Sequence, residues 1–250
     1  MNSVRMTALS SVPVRSPYPD SSTAERIVMM CASALFTGLT REELLEVASC
    51  ARARTFARNE LLFMQGQPVQ ALVLLQTGSV KQTQLSPNGE EVILWMHGQG
   101  DAVGMNPSEQ PCTHTCSARA LENCKALVWE YSRLQAFLAG YPQIRKNINQ
   151  ILSGRLQELE ERFREVATEK VAKRLALALL RLVKRVGKER PAGIELSLSR
   201  EELAQMTGTT LFTISRILSR WAEEGFIVPR REAVVVKDAR RLHQIGDKDD

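Results

Sequence analysis

The sequence predicts an α+β chain with three parts. These are an N-terminal antiparallel β-roll of the jelly-roll type, a long helix suited to pairing with a copy of itself, and a C-terminal winged helix-turn-helix. Three observations carry that reading. Between residues 59 and 104 short apolar runs alternate with turns at Gly66, Gly78, Asn88-Gly89 and Gly98 to Gly100, the spacing of a small antiparallel barrel or roll. From Ser132 the apolar period changes to steps of three and four, which is helical. EELAQMTGTTLFTISRILSRW, residues 201–221, then holds two helical periods broken at Gly208, a residue that adopts positive φ without strain.

The elements follow in order. Residues 1–28, MNSVRMTALSSVPVRSPYPDSSTAER and the two that follow, are expected to form a flexible tail. The segment is rich in Ser and Pro and lacks the continuous apolar core of a signal peptide. No run of 18 apolar residues is present, so no membrane-spanning helix is predicted. The five cysteines are therefore expected to be reduced thiols in a cytoplasmic protein. Residues 29–140 form the expected roll domain. Thr40-x-x-Glu43 is a capping box that starts a helix carrying Leu44, Leu45 and Val47. Asn88-Gly89 between apolar runs is a strong hairpin signal, and SARALENCKALVWEYS, 117–132, supplies one or two closing strands.

Residues 141–168 form the expected long helix, with a break at Tyr141-Pro142. Ile144, Ile148, Leu152, Leu156, Leu159, Phe163 and Val166 make one narrow apolar stripe, and charges fill the opposite face. Such a stripe is commonly buried against a second copy, so Ile148, Leu152, Leu156, Leu159 and Phe163 are the expected dimerisation residues. Residues 169–240 form the winged helix-turn-helix domain. It begins with the amphipathic VAKRLALALLRLVKRVG, and its helix-turn-helix occupies 200–221. GFIVPRREAVVVKD reads as a hairpin wing with Arg230 and Arg231 at the tip, placed to meet phosphates. Residues 241–250 are expected to be a tail.

Charge supports the same division. Residues 169–250 hold 17 Lys and Arg against 12 Asp and Glu, whereas the preceding 168 residues hold 16 of each. The net charge of +5 therefore sits with the helix-turn-helix, where a surface binding double-stranded DNA needs it.

The roll pattern QPVQALVLLQTGSVK with GDAVG, the long helix, and SLSREELAQMTGTTLFTISRILSRWAEEGFI together resemble the Crp/Fnr family of bacterial transcription regulators. The resemblance covers roughly residues 30–240 and makes the roll similar to a cyclic-nucleotide-binding domain. It implies a homodimeric, sequence-specific regulator whose second helix, about Thr209 to Trp221, enters the major groove. Two such helices would lie one DNA turn apart, ~34–36 Å, so a near-palindromic target is implied, with RNA polymerase as a further partner. Arg216 occupies the family's usual arginine position and Ser215 matches the Fnr-like branch. An arginine there can pair with a guanine edge or a phosphate. Phe212 departs from the glutamate many members carry. It accepts no hydrogen bond, and can pack on a thymine methyl or turn inward. Thr209, Thr210, Thr213 and Arg220 complete the expected DNA contacts, and Ile214 and Leu218 are core by spacing.

The resemblance is incomplete in the sensor. Members with cyclic-nucleotide pockets hold the phosphate with an arginine and the ribose with a glutamate. Met105 stands where the glutamate would fall, and His114-Thr115 near the arginine. Leu159 and Glu160 stand where hydroxyls would meet the base. Without the guanidinium the charge-assisted contact is lost, so cyclic AMP or GMP is not expected. The three clustered N-terminal cysteines of an Fnr-type iron–sulfur site are absent, and Cys31 and Cys50 read as packing residues. PCTHTCSARALENC instead groups Cys112, His114, Cys116 and Cys124, a candidate metal or redox site for zinc, an iron–sulfur cluster, haem or a regulatory disulfide. Its bland alternative is that Cys124 is core.

Two other classes are weaker. A cupin-like metal enzyme needs two histidines and a carboxylate on adjacent strands, and the roll has only His97 and His114. A ligand-binding regulatory subunit without DNA function leaves the helix-turn-helix and the confined charge unexplained. No catalytic residue is assigned.

Overall fold

The computed structural model describes residues 23–105 and 112–247. Three of the expected segments therefore fall partly outside the described residues: the N-terminal tail up to residue 22, the last three residues of the C-terminal tail, and residues 106–111 of the cysteine-bearing segment.

Two helices precede the roll: α1 (Thr23–Cys31) and α2 (Arg41–Ser49), separated by a 3₁₀ turn at Ala34–Phe36. The expected tail thus ends inside a helix, because Met30 is buried and the Arg26 guanidinium donates to the Ala48 and Ala51 carbonyls. The capping box at the start of α2 is present, with the Thr40 hydroxyl accepting from the Glu43 amide and the Glu43 carboxylate accepting from the Thr40 amide.

The roll contains β1 (Arg52–Phe56), β2 (Leu61–Phe63), β3 (Ala71–Thr77), β4 (Val80–Leu85), β5 (Glu91–His97), β6 (Ala102–Val103), β7 (Ser117–Ala120) and β8 (Cys124–Glu130). They form two four-stranded antiparallel sheets, ordered β1-β8-β3-β6 and β2-β7-β4-β5. Phe56, Leu75, Val80, Val103, Cys124 and Ala126 fill the space between them. Gly78 makes the β3–β4 turn at φ +88°, and a Cβ there would stand 2.6 Å from the Cys124 sulfur. Only glycine fits both demands.

Beyond the roll come α3 (Tyr131–Gly140) and α4 (Pro142–Thr168), with Pro142 opening the second helix, a position that needs no backbone donor. The first two turns of α4 pack back on the roll: Ile144 and Ile148 join Leu35, Val47, Leu74 and Trp129 in one core. The Trp129 indole N–H donates to the Val47 carbonyl at 2.8 Å, which satisfies the polar edge of a fully buried ring. Beyond Leu152 the stripe emerges. Leu156, Leu159, Phe163 and Val166 are exposed, Leu156 at 57% and Phe163 at 77%.

The C-terminal domain comprises α5 (Val171–Val186), β9 (Lys188–Arg190), β10 (Gly193–Leu196), α6 (Arg200–Thr207), α7 (Leu211–Glu223), β11 (Ile227–Pro229), β12 (Val234–Val236) and α8 (Ala239–Gly246). The wing belongs to a four-stranded sheet ordered β11-β12-β10-β9. Its β9–β10 hairpin is announced by Pro191-Ala192-Gly193 and by the alternation of IELSL. The expected C-terminal tail is corrected as well: α8 packs on α5, with Leu242 fully buried. Every third or fourth residue of α8 is apolar, enough to seat a short helix that Asp238 caps.

Candidate DNA-reading surface and roll cavity

The helix-turn-helix is assembled from local signals. Ser199 and Glu202 form a capping box at α6. Gly208 ends α6 in the left-handed conformation at φ 61°, and Thr210 starts α7 with its hydroxyl accepting from the Thr213 amide at 3.2 Å. Ile214, Ile217, Leu218 and Trp221 face inward and are buried with Leu179, Leu203 and Phe226. Their burial fixes the outward face of α7, where Phe212, Arg216 and Arg220 are exposed.

The expected DNA contacts differ in how free they are. Phe212 does not turn inward and is 75% exposed. Arg216 is exposed and makes no ion pair among the described residues. Arg220 stands 3.8 Å from Glu224, a solvent-exposed pair that binds weakly. Thr213 spends its hydroxyl on that of Thr210, at 3.0 Å. Thr209 and Ser215 are half-buried. At the wing tip Arg231 is exposed, but Arg230 is paired with Glu195 of β10 at 2.7 Å. That partner is brought to it by the pairing of β10 with β12, which sets segments 35 residues apart side by side.

The winged domain docks on the roll. Ile93 and Met96 of β5 enter its core. Glu202, besides capping α6, accepts from Lys81 of β4 at 2.9 Å, and Arg58 of the roll meets Glu232 at the wing tip at 2.6 Å. Arg162 of α4 donates to the Leu94, Ile93 and Met206 carbonyls. Arg181 grips Glu165 at 2.6 and 2.8 Å, and Arg185 grips Glu158 at 3.3 and 2.9 Å. These forked pairs hold α5 against α4.

Between the roll and α4 lies a cavity of about 540 Å³. Its walls are largely apolar: Val69, Leu94, Trp95 and Met105 from the roll, and Leu152, Leu156 and Leu159 from α4. Cys112, His114, Cys116, Gln82 and Arg155, with Thr113 and Thr115, supply the polar atoms. The His114 ring stacks on Phe63 with centroids 3.6 Å apart, and burial pushes its pKa down, so it is a neutral imidazole at pH 7. Burial raises the Cys116 thiol, against a hydrogen bond from Gln82 that lowers it. A protonated thiol is a poor nucleophile.

A polar relay leaves this wall. Gln82 Nε2 donates to Cys116 Sγ at 2.7 Å, and Gln82 Oε1 accepts from His97 Nε2 at 2.9 Å. His97 Nδ1 accepts from Arg155 at 3.5 Å, and Arg155 also donates to the Ala102 carbonyl at 2.9 Å. His97 is fully buried. Its pKa is driven well below the usual histidine range by burial first, then by the charges of Arg155 and Arg185. Burial likewise brings Arg155 down to about 10. Arg155 and Arg162 are not singled out by any motif; the one signal for them is that they fall within the apolar stripe of α4 at helical spacing.

Two expected sets are not brought together. Cys124 does not join Cys112, His114 and Cys116. It lies in the roll core beneath Gly78, its sulfur directed at the Ser79 and Glu122 carbonyls, with burial raising its pKa to about 11. Among the described residues no three His, Cys, Asp or Glu side chains converge as metal ligands. Ile148, expected in a dimer seam, is fully buried within its own protomer, because the N-terminal part of α4 packs on the roll before the helix departs from it. Cys31, read as a packing residue, is exposed.

Comparison with known proteins covers both domains. The cyclic nucleotide-binding domain family matches residues 53–141, and the Crp-like helix-turn-helix domain family matches residues 173–245. The chain belongs to the Crp/Fnr family of transcription regulators. It is 29% identical over 217 residues to the cyclic AMP receptor protein of Thermus thermophilus, covering 87% of this chain and 98% of that one. It is 24% identical to the CRP-like cAMP-activated global transcriptional regulator of Mycobacterium tuberculosis, covering 86% of this chain and 96% of the relative. Its fold is that of FixK2 from Bradyrhizobium japonicum, with a TM-score of 0.69 and 22% identity over 80% of this chain and 99% of that one. Crp/Fnr regulators bind DNA through the helix-turn-helix and act as dimers. No helix among the described residues is long and apolar enough to cross a membrane.

Proposed function

We propose that this Crp/Fnr regulator works in the cytoplasm as a homodimer. Each α7 lies in the major groove of a near-palindromic DNA site, and the bound dimer acts on transcription together with RNA polymerase. The observation that carries the reading is the outward face of α7: burial of Ile214, Leu218 and Trp221 leaves Phe212, Arg216 and Arg220 to the solvent. Arg231 at the wing tip supplies phosphate attraction. Leu156, Leu159, Phe163 and Val166 supply the apolar seam to a second α4, because a stripe this exposed is buried by a partner helix in such assemblies.

The roll in this reading binds a ligand and catalyses nothing. Its cavity suits a small, predominantly apolar effector, held through ring and aliphatic contacts and oriented by the neutral His114. Cyclic nucleotides are disfavoured because the ribose would meet Met105 in place of a glutamate, and the phosphate would meet His114 in place of a guanidinium.

Selection of binding sequences from random DNA, followed by electrophoretic shifts, tests the regulator reading. A near-palindrome bound by a dimer is expected, with affinity falling steeply as salt rises. Failure to shift any fragment at low salt would refute it. Titration calorimetry with cyclic AMP and cyclic GMP tests the effector reading, and a micromolar Kd for either would overturn it.

A further inference from the structure

The reading end of α7 is apolar where a polar residue would make hydrogen bonds. Phe212 is 75% exposed and its neighbour Leu211 is 52% exposed. The inward positions are filled by Ile214, Ile217, Leu218 and Trp221, so no rearrangement of the helix core takes the ring in. The nearby hydroxyls of Thr210 and Thr213 are bonded to each other. Phe212 and Arg216 are four residues apart on one helix, so their side chains lie on the same face, ~5–6 Å apart at Cβ. Base pairs stack ~3.4 Å apart along the duplex.

We infer that Phe212 is a specificity-determining residue that reads the C5-methyl group of a thymine. That thymine lies within two base pairs of a guanine paired with Arg216. The major groove offers a benzyl side chain one apolar feature on a base edge, the thymine methyl. Cytosine lacks that methyl group, and an adenine or guanine at this position would leave its groove-facing polar atoms desolvated against the ring. The preference is therefore for T·A over the other pairs, enforced by loss as well as gain. The inference rests on α7 being the reading helix.

The test uses the full-length protein and a DNA site selected from random sequence. Each thymine is replaced in turn by deoxyuridine, which removes the methyl and nothing else. For the wild-type protein, one thymine per half-site is expected to be sensitive. Affinity should fall about fourfold when one half-site is changed, the value one buried methyl group supplies, and about fifteenfold when both are changed. Phe212→Ala should bind the methylated and unmethylated sites equally, with an unchanged melting curve because the ring is exposed. Arg216→Ala should weaken binding while preserving the methyl dependence. Methyl-insensitive thymines throughout, or the same sensitivity in Phe212→Ala, would overturn the inference. If Phe212→Ala and Arg216→Ala both bind the site as wild type does, the inference is overturned one level down, because α7 is then not the reading helix.

Discussion

The indole ring of Trp95 carries the Arg185 guanidinium 4.2 Å from its centroid, while the same indole lines the roll cavity. Arg185 belongs to α5 of the DNA-binding domain and Trp95 to β5 of the roll. Arg155 approaches the ring at 5.6 Å, and through His97 it touches the relay that ends at Cys116. One aromatic ring thus borders the ligand cavity and the domain interface together.

This pair is expected to be energetically coupled. A double-mutant cycle of Trp95→Leu and Arg185→Leu, read by urea denaturation, should give a coupling of about 0.5–2 kcal/mol. Strict additivity would show that the ring and the guanidinium touch without contributing to docking.

Arg230 and Arg231 are adjacent in sequence and should behave differently. Arg231→Ala removes an uncommitted positive charge and should reduce the slope of log affinity against log salt by about 1. Arg230→Ala should change the slope less, since its guanidinium already faces Glu195 at 2.7 Å. Arg216→Ala should cost about 1–3 kcal/mol on the selected site and almost nothing on random DNA. An equal loss on both would reduce Arg216 to a phosphate contact.

The two ends of α4 should respond differently to mutation. Charged substitution at Leu156 and Leu159 is expected to yield folded monomers by sedimentation that no longer shift a palindrome. Ile148→Ala, at a position fully buried in the protomer, should instead lower stability by about 2–5 kcal/mol and leave the dimer intact at temperatures where the protein is folded. A dimer that survives both charges would place the seam elsewhere.

Stability should fall on mild acidification. His97 and His114 have depressed pKa values in the folded protein, so below about pH 6.5 the unfolded chain binds the extra protons. The loss begins as pH falls through that value and continues toward the folded pKa values, at up to about 1.4 kcal/mol per pH unit for each ring. Urea midpoints at pH 8, 6.5 and 5.5 would measure it. His97→Gln should flatten the profile, whereas an unchanged slope would assign the effect to other groups.

Much of the architecture is written in short-range chemistry. Thr40 with Glu43, Tyr141 with Pro142, and Gly208 with Thr210 mark helix boundaries because capping, missing donors and positive φ act within a few residues. The steps of three and four along α7 similarly identify Ile214 and Leu218 as inward, which leaves Arg216 outward. Set against the Crp/Fnr pattern, Phe212 stands out as a departure, Met105 as a poor substitute for the ribose-binding glutamate, and His114 as a poor substitute for the phosphate-binding arginine.

Tertiary structure decided what depends on partners distant in the chain. Ile148 and Leu156 share one stripe, yet one is core and the other is exposed, because the roll covers only the beginning of α4. Cys112, Cys116 and Cys124 are close in sequence, but the strand that carries Cys124 runs into the roll core and away from the cavity. Arg230 meets Glu195 across a sheet that sets β12 beside β10, and residues 239–246 form a helix that packs on α5. Periodicity records which face of an element is apolar, whereas the surface that comes to cover that face is set by long-range packing.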